Sequence, residues 1–133
     1  MRIIAFVAFP ALALTLSCAA DLMPTAQEGA QVYADNCTAC HGPRGAGTGR
    51  LTSGQTAPDL TRIADRNGGE FPRARVLSQI DGYGHGKVAR DAMPEFGLLL
   101  QGESVPVEVD GVMTPTPRPL AALMVFLGSI QKG

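Results

Sequence analysis

Apolar positions recur along the chain in four different patterns, and each predicts an element. The first is continuous: Ile3 to Leu16 is apolar or small apart from Pro10 and follows Arg2. That is the layout of an export leader, and it falls short of the roughly 20 residues a bilayer span needs. The second begins at Thr25-Ala26-Gln27-Glu28, a Ser/Thr-x-x-Glu capping box that predicts a helix starting at about residue 26. Within it Gly29 and Tyr33 share one face, a bare stretch of backbone beside an aromatic ring, which suits a close helix crossing.

The third pattern places Val76, Leu77 and Ile80 at helical spacing and predicts a helix that ends at Gly82. The fourth is an alternation from Ser104 to Val112 around Asp110-Gly111, which predicts a short hairpin near 104–113, with Pro106 confining its first arm to an edge or irregular strand. Thr114-Pro-Thr-Pro-Arg-Pro is expected to stop the hairpin and start a last helix. In that helix Leu120, Leu123, Met124, Leu127 and Ile130 follow the 3.6-residue period, and Val125 and Phe126 widen the apolar face. This helix is expected to pack across the first one near Gly29 and Tyr33.

Composition adds a problem for these elements to solve. Glycine and proline fill nearly a fifth of the 133 positions and there is no tryptophan. Once residues 1–20 are set aside as a leader, the aromatic side chains are Tyr33, Phe71, Tyr83, Phe96 and Phe126. Eleven glycines crowd between Gly42 and Gly97. A single domain over 21–133 with so loop-rich a middle needs something other than its own side chains to fold around.

The cysteines identify that something. Cys18 sits at the leader's end: Leu14-Thr15-Leu16-Ser17-Cys18 fits a loose lipobox, which makes Cys18 a lipidated N-terminus, and Cys18-Ala19-Ala20 fits ordinary cleavage, which removes it. Either route leaves the pair in Cys37-Thr38-Ala39-Cys40-His41, and export places that pair in an oxidising compartment. C-x-x-C-H puts two thiols on neighbouring positions of one helical turn, where each can add across a haem vinyl group. The next residue, His41, is then carried to the iron as proximal ligand. A thioredoxin-like pair would want a preceding strand and a different setting, and a zinc site would want two more ligands, whereas the only other histidine is His85.

With these residues in view the chain resembles a class I c-type cytochrome of the small, single-haem bacterial kind, over about residues 24–131. The resemblance implies an all-α fold of three to four main helices wrapped around one haem c, attached through Cys37 and Cys40. It implies a methionine as the second axial ligand, and Ala92-Met93-Pro94-Glu95-Phe96-Gly97 matches that motif, with Met93 as the ligand. Met113 is the main rival methionine, Met124 reads as helix packing, and His85 is the rival ligand of another type. In Ala57-Pro58-Asp59-Leu60 the Pro58 carbonyl is the implied acceptor for the His41 imidazole, which fixes its tautomer and raises its donation to iron.

The activity implied is electron transfer without enzymatic turnover, in the periplasm, soluble or held to the membrane by a lipid on Cys18. Redox proteins such as a membrane oxidoreductase, a dehydrogenase or a terminal oxidase are the implied partners. The alternative is a gas-binding or peroxidatic haem c protein with a displaceable sixth ligand, and a haem-free thiol–disulfide module stands third. Charge bears on the partner, because the chain from Arg44 to Arg90 holds eight basic and four acidic side chains. Arginines around the haem edge would steer an acidic partner, whereas an ordinary solvated surface would not. Nothing in the sequence resembles a nucleotide or nucleic-acid motif.

Overall fold

A computed structural model describes residues 23–47, 49–51, 54–83 and 93–133. The expected leader, Cys18 and His85 lie outside the described residues.

Helix α1, Ala26–Asn36, starts where the capping box places it: the Thr25 hydroxyl accepts from the Glu28 N–H, and the Glu28 carboxylate accepts from the Thr25 N–H. Cys37 separates it from α2, Thr38–His41, a single turn whose last residue is the motif histidine. Two short 3-10 turns follow, Leu60–Arg62 and Asp65–Asn67. Helix α3, Arg73–Asp81, then buries Val76 and Ile80 and ends on Gly82, whose φ of 98° is the left-handed cap that favours glycine.

The hairpin pairs β1, Ser104–Val109, with β2, Val112–Pro117, around Asp110-Gly111. The expectation that Thr114-Pro-Thr-Pro would stop it is corrected, since β2 runs on through both prolines. The register explains why. Arg118 N donates to Glu103 O at 2.8 Å, so the bonded pairs fall at alternate positions from there: Val105 with Thr116, and Val107 with Thr114. Pro106, Pro115 and Pro117 all fall in the other, non-bonded pairs, where the N–H would point away from the partner strand and nothing is lost by lacking one. The same alternation turns Val105, Val107 and Thr116 inward onto Ala121 and Met124.

Helix α4, Arg118–Ser129, is the centre of the packing, with Leu120 to Met124 and Leu127 all buried. It crosses α1 closely. A Cβ on Gly29 would run into the Ala122 carbonyl and lie 2.7 Å from the Phe126 Cβ, so only glycine permits this approach. Phe126 packs against Tyr33 with ring centroids 5.1 Å apart, while Val125 faces outward, which corrects its assignment to the apolar face. The Glu28 carboxylate accepts from the Arg118 guanidinium at 2.8 Å and clips the two helices together at the surface. Among the described residues no helix is long and apolar enough to cross a membrane.

Candidate functional site

The helices leave a cavity of about 580 Å³ between them. Tyr33, Cys37, Cys40 and His41 line it from α1 and α2, Val76 and Ile80 from α3, and Leu123 and Leu127 from α4. Met93 and Phe96 come to it from the segment after α3. The residues singled out in the sequence as the site, Cys37, Cys40, His41, Pro58 and Met93, all line this one space. Met93 is the only methionine among the described residues that does so. Met113 is 59% exposed on the outer face of the hairpin, and Met124 is buried beneath it. Tyr83 is 92% exposed and faces solvent.

The local backbone explains how His41 is held. The Tyr33 hydroxyl donates to the Gly42 carbonyl at 2.7 Å, tying the middle of α1 to the turn after the histidine. The glycine-rich loop then folds back over the motif, with Gly47 N donating to His41 O and Gly49 N to Cys40 O, each at 3.0 Å. Gly47, at a φ of 71°, lies so close to the next segment that a Cβ would be 2.7 Å from the Pro58 carbonyl carbon. Gly49 presses equally closely on Cys40. The sequence suggests a wrapping loop here, but these contacts depend on the missing side chains and leave no positive signal to read.

The His41 Nδ1 lies 3.2 Å from the Pro58 carbonyl oxygen, 17 residues away. A carbonyl can only accept, so Nδ1 carries the proton and Nε2 keeps a free lone pair. Burial lowers the His41 pKa below its ordinary value, opposed by the bond to Pro58, so the ring is neutral near pH 7. The two thiols are not joined to each other. Burial, helped by the neighbouring Cys40 charge, pushes the Cys37 thiol up to about 11. That is the reverse of the lowered pKa that makes a C-x-x-C pair a redox nucleophile, and it counts against the thiol–disulfide reading.

Polar groups reach the cavity at a few positions. Arg66 donates to the Asp59 carbonyl at 2.9 Å, and Arg75 donates to the Asn67 side-chain oxygen; both arginines line the cavity. Of the eight basic residues from Arg44 to Arg90, these two line the cavity, while Lys87 and Arg90 lie outside the described residues. A second, smaller cavity of about 290 Å³ adjoins the first through Asn67, Pro72 and Arg75, and Asp110 of the hairpin turn lines it.

The donor set fits haem c: two unpaired thiols and a neutral imidazole with a free Nε2 open into a mostly apolar space, of a size ordinary for a cofactor pocket at roughly 300–1,000 Å³. The family model for cytochrome c matches residues 26–101, more than half of the chain, and the chain belongs to the cytochrome c family. No curated protein and no solved structure matches it. Membership carries with it a covalently attached haem c and, in general terms, electron transfer with redox partner proteins. The hairpin and α4 lie beyond the matched residues, although α4 supplies part of the cavity wall.

Proposed function

We propose that the protein is a single-haem electron carrier of the bacterial cell envelope, with Cys37 and Cys40 as the thioether attachments and His41 Nε2 and the Met93 thioether as the axial ligands. When bound, haem c supplies a one-electron Fe(III)/Fe(II) couple. The single observation that carries the reading is the His41–Pro58 contact inside a cavity that Met93 also lines. It leaves one nitrogen lone pair and one soft sulfur in the same apolar space as the two thiols.

Each residue then has a stated task. Pro58 holds the tautomer of His41 and increases its donation to iron. With haem bound, Met93 would offer its thioether to the iron, a neutral ligand that favours Fe(II) and would leave no vacancy for oxygen chemistry. Leu60, Ile63 and Leu127 keep water from the site, which holds the dielectric low. Leu98 and Leu99, 90% and 71% exposed, follow the cavity-lining Phe96 and offer a partner an apolar contact close to the cofactor. Export rests on residues 1–20, by either route at Cys18.

Stopped-flow mixing of the reduced holoprotein with a one-electron acceptor, and separately with hydrogen peroxide, tests this function. Rapid single-electron oxidation by the acceptor with no turnover of peroxide is expected. Sustained peroxide consumption would favour the peroxidatic reading instead.

A further inference from the structure

The turn that follows Pro58 is fastened by the residues after α4. Gln131 spends its whole side-chain amide on this: Oε1 accepts from Ala64 N at 2.9 Å, and Nε2 donates to Leu60 O at 2.8 Å and to Leu127 O at 2.7 Å. The next residue adds a fourth bond, from Lys132 N to Thr61 O at 2.9 Å. The bond to Leu127 stays within the end of α4; the other three reach across to the Leu60–Arg62 turn and the residues that follow it, two positions after Pro58.

That turn is tied to Pro58. Thr61, 4% exposed, donates its N–H and its hydroxyl to one Asp59 carboxylate oxygen at 2.9 and 2.6 Å. Leu60 N donates to Gly45 O at 2.7 Å, and Gly47 abuts the Pro58–Asp59 peptide while its N–H holds His41 O. The Pro58 peptide is thus held between a loop bonded to the histidine and a turn bonded to Gln131. The His41–Pro58 distance of 3.2 Å stands at the long end of the N–H···O range, so a small retreat of the turn weakens the bond considerably.

We propose that Gln131 is a positioning residue for the axial imidazole, which keeps the Pro58 carbonyl within bonding distance of His41 Nδ1 and so helps set the reduction potential from the far end of α4. The inference rests on His41 as iron ligand. A carbonyl drawing on Nδ1–H makes Nε2 a better donor and favours Fe(III); releasing it favours Fe(II) and raises the potential.

The test is redox titration of the holoprotein carrying Gln131→Met, with proton NMR of the His41 ring in the same samples. An increase of about threefold in the Fe(II):Fe(III) ratio at fixed ambient potential is expected, about 28 mV at 59 mV per tenfold, together with faster exchange of the His41 Nδ1 proton. If Gln131→Met does not fold, Gln131→Asn keeps the amide and the charge but is one methylene too short to reach all three partners, and is expected to shift the same way. Glu28→Gln is the control, because it breaks the Arg118 ion pair at the opposite end of α4 and leaves the Gln131 bonds in place; its potential should not move. An unchanged potential and exchange rate in the Gln131 variants, or an equal shift in Glu28→Gln, would overturn the proposal. A wild-type spectrum without a sulfur-to-iron band would instead count against Met93, and the His41 proton would still report on Gln131.

Discussion

The Tyr33 hydroxyl donates to the Gly42 carbonyl at 2.7 Å, and through that bond the buried face of α1 holds the turn that ends the haem-attachment motif. Tyr33 is 2% exposed and packs against Phe126 with the rings tilted by 46°, so one side chain joins α1, α2 and α4. Tyr33→Phe keeps the ring and removes the bond, and it should cost about 1 kcal/mol, the usual net value of one hydrogen bond. Urea denaturation of the two holoproteins at pH 7 measures it.

The same residue gives the protein an alkaline limit. Burial above all pushes the Tyr33 pKa up to about 12, whereas an unfolded tyrosine titrates near 10. A raised folded pKa means that the neutral form is the one the fold prefers, so its contribution is complete below about pH 10 and is lost as pH rises towards 12. The wild type should lose stability over that window, and Tyr33→Phe should lose less. Equal pH slopes in denaturation series at pH 9, 10 and 11 would contradict this.

Gly29→Ala should destabilise although alanine is the better helix former by about 1 kcal/mol. The added Cβ meets the Ala122 carbonyl, which is backbone and cannot rotate aside, so α4 must move. A net loss of about 1–3 kcal/mol is expected from overpacking of this kind, read as a lowered Tm with the haem spectrum retained.

The hairpin should be separable from the redox centre. Gly111, at a φ of 86°, supplies the left-handed turn with Asp110, and Gly111→Ala should cost about 1 kcal/mol through backbone strain. Stability should fall while the midpoint potential holds, because the turn reaches the smaller cavity and not His41 or Met93.

Much of this is legible in the sequence, for identifiable reasons. The capping box at Thr25, the Gly29 and Tyr33 face and the period of α4 are local or repeating signals, and C-x-x-C-H is a contiguous motif whose chemistry lies in its spacing. The second strand runs further than its sequence suggests, because prolines read as breakers while their parity in the ladder makes them harmless. Gln131 was invisible for another reason: its partners are 67 and 71 residues away, and a glutamine after a helix has no pattern to distinguish it. In the sequence Arg66 and Arg75 are only members of a basic region, since it takes the fold to show which arginines line the cavity.

Met93→Leu, set beside Met113→Leu, tests the choice of sulfur. Removing the Met93 thioether should lower the midpoint potential and open the iron to carbon monoxide, while the Met113 variant should match the wild type.

The central claim, that His41 and Met93 close the iron axially for electron transfer, is tested most directly by the optical spectrum of the mature wild type, ferric, ferrous, and ferrous under carbon monoxide. The account predicts covalent haem c, a sulfur-to-iron charge-transfer band in the ferric form, and no change with carbon monoxide. Covalent haem without that band, and with carbon monoxide bound, would contradict it and favour a gas-binding or peroxidatic protein.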